Sequence, residues 1–248
     1  MLRCVLPESL ARIEALPADA TVLDVGGWAC PLARATTVLD QMPYETRGLY
    51  GFNGDPAAER FTADSWVRHD ICAREPFPFP DDAFDVVVCS HTLEDVRDPV
   101  WVAAELSRIG RAGYVEVPSR LQEQSWGVDG PYVGWSHHHW LIDVDQAAEH
   151  VDFVFKLHAL HHPGPTGFAF SARFAEALSE RERVSTLWWD GAFSARERLF
   201  DDVTALVEWL AEPVRAHGAR DPDPPRADRR ARLARRLGRV HATDVTGR

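Results

Sequence analysis

Residues 84–90, Phe-Asp-Val-Val-Val-Cys-Ser, constrain this chain more than any other stretch. A short apolar run closed by polar residues leaves no face for water. It reads as a strand covered on both sides, the usual state of a parallel strand inside an α/β fold. The next thirty residues support that reading. Asp98 and Pro99 supply an N-cap and a first-turn proline for an amphipathic helix over 99–109, and GYVEVPS (113–119) is the next strand. Strand, helix, strand implies a parallel pair joined by a right-handed crossover.

The upstream half repeats the theme. ESLARIEAL (8–16) has helical periodicity. TVLDVGG (21–27), TTVLD (36–40) and SWVRHDI (65–71) read as strands, and PLARA (31–35) as a short helix led by Pro31. Residues 41–64 mix Pro, Gly, Asn and Asp and read as a long loop. Downstream, HHWLIDV (138–144) and DFVFKLHAL (152–160) suggest an antiparallel hairpin. ARFAEALSER (172–181) and the segment 195–216 suggest helices packed on the sheet, and WWDGAF (188–193) a last strand and turn. The expected fold is α/β: a Rossmann-like, mostly parallel sheet of about seven strands, with an antiparallel hairpin toward the C-terminal side.

The chemistry-bearing residues fall at strand ends. Gly26 and Gly27 follow Asp24 at the end of the first strand, where a glycine turn lets a ligand approach the backbone. Asp40 ends the second strand and can accept from ribose hydroxyls, and Asp70 ends the third. A G-x-G-x-x-G followed by a helix is missing, so nothing cradles a dinucleotide pyrophosphate.

From Thr21 to Arg120 the ordered set LDVGG, VLD, HDI, FPDDAFDVVVCSHTLEDVRDP, EL-x-RI and GYVEVPS resembles the class I S-adenosylmethionine-dependent methyltransferases, in particular their type 11-like branch. The resemblance implies that Asp24, Gly26 and Gly27 surround the methionine portion of S-adenosylmethionine. It further implies that Asp40 holds the ribose, Asp70 the adenine amine and Ile71 the adenine face, with Ser90 and His91 beside the sulfonium and a small-molecule acceptor. The chain departs from the family where later turn glycines are replaced by Trp28 and Cys30, and where 27–36 is too short for a full helix. Trp28 either closes over the cofactor or packs against the short helix.

If the acceptor must lose a proton, His91, Glu94, His138 and His139 are candidate bases, since neutral imidazole titrates near pH 7. The His137–His139 cluster also admits a metal-assisted enzyme, although no carboxylate stands at a ligand spacing and no metal is expected. A non-catalytic adenosyl-binding protein is the other alternative. Glu116 lies within a strand. Trp126, Tyr132, Trp135 and Trp140 either cover a substrate or form a satellite core. His158, His161 and His162 lie near the end of the hairpin.

The net charge of −11 argues against nucleic acid as a partner. With no long apolar run, neither a membrane span nor a signal peptide is expected, and the protein reads as cytoplasmic. Four scattered cysteines read as reduced thiols. Lys156 is the only lysine, an arginine bias that suits a GC-rich bacterial genome. After a domain over 1–219, residues 220–248 hold nine Arg against four Asp and read as an Arg-rich tail behind a Pro/Asp linker. The oligomeric state is open.

Overall fold

The computed structural model describes residues 4–161 and 167–224. Its elements in chain order are α1 (Pro7–Glu14), β1 (Val22–Val25), β2 (Thr37–Asp40), β3 (Trp66–Arg68), β4 (Val86–Ser90), α2 (Pro99–Ile109), β5 (Ala112–Pro118), α3 (Arg120–Glu123), β6 (Trp140–Asp145), β7 (His150–Phe155), α4 (Ala172–Ala177), α5 (Glu180–Arg183), β8 (Val184–Asp190), β9 (Ser194–Glu197) and α6 (Val203–His217). Within the described residues they form two compact units. The first holds residues up to 120 with 137–156 and 179–199, and the second holds 121–136, 157–178 and the residues from 200 on.

A six-stranded sheet in the order β3-β2-β1-β4-β5-β8 organises the first unit. β1 to β5 are parallel and β8 runs antiparallel to β5. Alternation sends Leu23, Val25, Leu39, Val87, Cys89, Val115 and Val117 to one face, against Val102, Leu106 and Ile109 of α2 and Trp140, Ile142 and Phe153 of β6 and β7. The other face buries Val22, Val38, Val86, Val88 and Tyr114 with Ile13 of α1. Asp98 caps α2 by accepting the Trp101 N–H at 3.1 Å, as its sequence predicts.

Several expectations change. The sheet has six strands. The hairpin β6-β7 belongs to a second sheet, β6-β7-β9, whose β7-β9 pair is parallel. PLARA forms no helix. Leu32 bridges Asn53 instead, and the backbone of 28–33 exchanges hydrogen bonds with residues 48–60: Gly48, Tyr50, Asn53 and Arg60 donate to it and Ala33 donates to Asn53. Those partners satisfy polar groups that a helix would otherwise satisfy internally. The third strand stops at Arg68. Residues 194–197 are strand β9, so only 203–217 of the expected 195–216 helix is helical, beginning at the N-cap Asp202. The expected helix 172–181 splits at Leu178 into α4 and α5. The strand proposed at WWDGAF is the end of β8.

In the second unit Phe170 and Phe174 stack at 4.0 Å with Leu178, and the Gln124 amide donates to the Phe168 and Leu210 carbonyls. The tail boundary read at residue 220 falls among packed residues. Asp221 is buried and accepts from the backbone N–H and hydroxyl of Ser171, the N-cap of α4. The remainder of the Arg-rich tail, 225–248, and His162 lie outside the described residues.

This packing makes two substitutions costly. A Cβ at Gly113 would lie 2.1 Å from the Trp189 ring and 2.4 Å from the Val87 carbonyl oxygen. Gly113→Ala is therefore expected to destabilise by about 1–3 kcal/mol through overpacking, read by urea denaturation. Asp221→Ala leaves Ser171 without its partner and is expected to cost about 1–3 kcal/mol by the same measurement.

Candidate ligand-binding cleft

Strand order reverses direction between β1 and β4, and an open α/β sheet takes ligands outside the carboxyl ends of its strands at such a point. A cleft of about 290 Å³ lies there. Gly26 comes from the end of β1, Leu39 to Met42 from the end of β2, His69 to Cys72 from beyond β3, and His91, Thr92, Asp95 and Val96 from beyond β4.

Gly26 has φ +77° and donates its N–H to the Leu39 carbonyl at 2.9 Å. A Cβ there would sit 2.2 Å from the Thr92 hydroxyl oxygen, so both backbone and space demand glycine. Asp24 is buried behind this turn and accepts the Leu32 N–H at 2.8 Å. Burial, partly offset by that N–H and reinforced by the Asp40 charge, pushes its carboxyl up to about 7. Gly27 packs on Asp24, where a Cβ would lie 2.3 Å from Oδ2. Asp40 accepts the N–H groups of Trp28 and Met42 at 2.9 and 2.8 Å, and burial raises its carboxyl from the usual range. Asp70 is exposed and accepts the Cys72 N–H at 2.8 Å in a turn beyond β3, with Ile71 beside it.

His91 stands where β4 ends, with φ +49°. Its Nδ1 lies 3.4 Å from Glu94 Oε1 and its Nε2 3.4 Å from Glu116 Oε1. The register that pairs Ser90 with Glu116 produces this meeting. Burial alone would lower the imidazole's pKa, but the hydrogen bonding and charge of the two carboxylates outweigh it and raise the group to about 10. Glu116 also accepts the Leu6 N–H and the Tyr114 hydroxyl. Both carboxylate oxygens of Glu94 are buried without a hydrogen-bond partner, apart from the His91 ring nearby.

Of the residues anticipated from sequence, the cleft gathers Gly26, Asp40, Asp70, Ile71 and His91 on its surface. Asp24, Gly27 and Glu94 stand behind it. The Ser90 hydroxyl donates to the Cys4 carbonyl and is not part of the lining. Neither are His138 and His139, which precede β6, so strand alternation does not govern them. His138 is buried next to Asp95, 3.9 Å away, and His139 is exposed. Trp28 packs partly against the second core cluster and donates its indole N–H to Thr46. Trp140 is core, and Trp126, Tyr132 and Trp135 are not among the lining residues. Sequence reasoning passed over Asp95, Thr92, His69 and the segment Cys4–Leu6 across the ends of β4 and β5. For Asp95 a signal existed, since it lies in the same Leu-Glu-Asp-Val stretch as Glu94.

Glycine turn, acid-tipped strands and a cleft at the reversal of strand order define an open α/β protein with a cleft at the carboxyl edge of its sheet. A family model described as a methyltransferase domain matches residues 34–115, about a third of the chain. The match begins beyond β1 and its glycine turn, where the sequence departs from the common pattern. Similar solved structures include a methyltransferase dependent on S-adenosylmethionine from Mesorhizobium loti (13% identity, 83% of this chain, 78% of that one, TM-score 0.33). Another such enzyme comes from Aquifex aeolicus (14%, 47% and 66%, 0.34). A third is the YcgJ protein of Bacillus subtilis (17%, 45% and 51%, 0.33). The aligned part spans about half the length of several such chains. None of these likenesses is close enough to carry a function. No curated protein sequence matches the chain. Among the described residues no helix is long and apolar enough to cross a membrane.

Two titrations test the electrostatics. Asp24 titrates near 7 folded against about 3.8 unfolded, so ionising it costs the fold stability as pH rises across that window. Asp24→Asn should gain on the wild type by a few kcal/mol (about 2–4) between pH 4 and pH 8 in urea denaturation, provided the amide still accepts the Leu32 N–H. His91 has the opposite sign of charge: its raised pKa stabilises the fold fully below about pH 6.5 and ceases to as pH passes about 10. Its imidazole resonances in NMR are expected to stay protonated at pH 7–8 and to move only near pH 10.

Proposed function

We propose that the protein binds S-adenosylmethionine in this cleft and transfers its methyl group to a small-molecule acceptor. The donor set fits that cofactor. Among the described residues, the charged groups lining the cleft are Asp40, Asp70 and Asp95, with His69 and His91 the only basic groups and no Lys or Arg. A dinucleotide pyrophosphate would face three carboxylates, whereas a sulfonium and an ammonium are favoured by them. This acidic lining is the single observation that carries the reading, and the family match over 34–115 supports it.

When bound, the cofactor supplies a methyl group already activated by its sulfonium. The chain's work is then to bind, align and exclude water. In this reading Asp40, held by the Trp28 and Met42 N–H groups, retains lone pairs for ribose hydroxyls, and Asp70 and Ile71 flank the adenine. His91 is poorly suited to take a proton near neutral pH, because Glu94 and Glu116 keep it an imidazolium. It is better placed as a cationic donor to an acceptor oxygen, with Glu94 and Glu116 as positioning residues. Taking the acceptor's proton falls to the cleft edge, where Asp95 faces His138. A net charge of −11 favours a small-molecule acceptor over nucleic acid.

Calorimetry tests the reading. S-adenosylmethionine and S-adenosylhomocysteine are expected to bind, and NAD to give no heat. Heat with NAD and none with either adenosyl ligand would sink it. Asp40→Ala is expected to weaken adenosyl binding by about 1.5–3 kcal/mol, the scale of lost charge-assisted hydrogen bonds. Asp40→Asn controls for the Trp28 and Met42 contacts, and unchanged affinity in a folded Asp40→Ala protein removes that role.

A further inference from the structure

We propose that Asp95, His137 and His138 form a binding site for a divalent first-row transition cation, zinc by preference, at the edge of the cleft. Each offers one ligand atom, and the three atoms lie within 4.8 Å of one another. Among the described residues no other group of three His, Cys, Asp or Glu side chains meets in this way. Two imidazoles and a carboxylate are a donor set that zinc and its neighbours take up, leaving further positions open.

The cluster is held from both sides. Segments 94–96 and 137–140 are distant in sequence, yet two hydrogen bonds join them: the His139 N–H donates to the Glu94 carbonyl at 2.8 Å, and the Trp140 indole N–H to the Val96 carbonyl at 2.9 Å. Asp95 and His138 meet between these two bonds. The His139 carbonyl in turn accepts the Lys156 N–H at 2.8 Å, which ties the segment to the end of β7. The His138 side chain is 6% exposed and its ring packs edge-on against His137 at 4.6 Å, so one ligand is fixed. Asp95 and His137 are exposed and need only draw inward to reach the ~2.0–2.2 Å of zinc–ligand bonds.

The corner is acidic: of the oxygens of buried Glu94, the residue beside Asp95, only Oε1 approaches a counter-charge, the His91 ring at 3.4 Å, so a cation at Asp95 adds to an offset that His91 begins. His139 takes no part through its ring. Asp95 belongs to both the cluster and the cleft lining, so a cation held there borders the cleft. If the methyl-transfer reading holds, the bound cation would act on an acceptor oxygen as a Lewis acid, lowering its pKa; Asp95 and His138 would then be ligands in place of taking the proton, which would pass to solvent. The binding site itself does not rest on that reading.

The test uses untagged full-length protein, stripped with chelator and titrated with zinc, and with cobalt as a spectroscopic probe, without adenosyl ligand. One equivalent is expected to bind. His138→Ala and Asp95→Asn should each weaken it at least about tenfold, and His139→Ala should leave it nearly unchanged. The cobalt spectrum should show ligand-field bands without a thiolate charge-transfer band. Melting curves in chelator report whether each variant folds; should His138→Ala not fold, His137→Ala, at an exposed position, carries the same expectation. Wild type that binds no metal, equal loss in His139→Ala, or a thiolate band that disappears in Cys72→Ser overturns the proposal. Since no cofactor is present, failure here leaves the methyl-transfer reading standing, and failure of adenosyl binding leaves this site standing.

Discussion

At the carboxyl end of β1 a carboxylate sits almost out of reach of water and accepts the Leu32 N–H. That hydrogen bond matters because residues 26–36 carry the chain from β1 to its parallel neighbour without a helix. A helix would have satisfied its own backbone; this crossover has to find partners elsewhere. It finds them in the loop after β2 and in two acids, Asp24 holding Leu32 and Asp40 holding Trp28. Both acids end strands at the cleft. The same groups that hold the crossover therefore also shape the cleft, and Asp24 meets the cost of burial by titrating near 7.

The parallel core was legible because its signal is local. Continuous apolar runs at β1, β4 and β5 and the Asp98–Pro99 start of α2 depend on neighbours in sequence, and they appear where expected. The failures depend on distant partners. PLARA is too short to sustain a helix by itself, and pairing with Asn53 wins. Residues 194–197, Ser-Ala-Arg-Glu, hold good helix formers just upstream of the helix after them, but the edge of β7 takes them as a strand. The same division runs through the site. Acids at strand ends could be read in order along the chain. The place of His91 between Glu94 and Glu116 could not, because it depends on the register that pairs Ser90 with Glu116. Nor could Asp95 be matched to His138, which only the packing of two loops brings together.

The electrostatic pattern gives the cleft its character. Asp24, Asp40, Glu94 and Glu116 crowd buried or half-buried carboxyl groups at one edge of the sheet, with Asp70 and Asp95 exposed around them. Like charges at close range in a poorly solvated place oppose one another. Three things relieve that opposition in the protein alone: backbone N–H groups on Asp24, Asp40 and Asp70, the proton that Asp24 retains near neutral pH, and the imidazolium of His91.

Relief by ligands obeys the same arithmetic and has a sign. A cationic ligand in the cleft lowers the cost of every carboxylate near it, and a divalent cation at Asp95 does so at one corner. Each would favour ionised Asp24. Yet two cations bordering one another also repel, and both draw on Asp95. Binding at one place should therefore weaken binding at the other unless an anionic acceptor oxygen lies between them. Such an oxygen would turn the repulsion into attraction on both sides, since it is the ligand that the cation and the imidazolium of His91 each favour. With both proposed ligands in place, the arrangement would select for an acceptor that carries or develops negative charge on oxygen, and it would select only when the other positions are occupied. That dependence of each charge on the next comes from placing so many acids at the ends of adjacent strands.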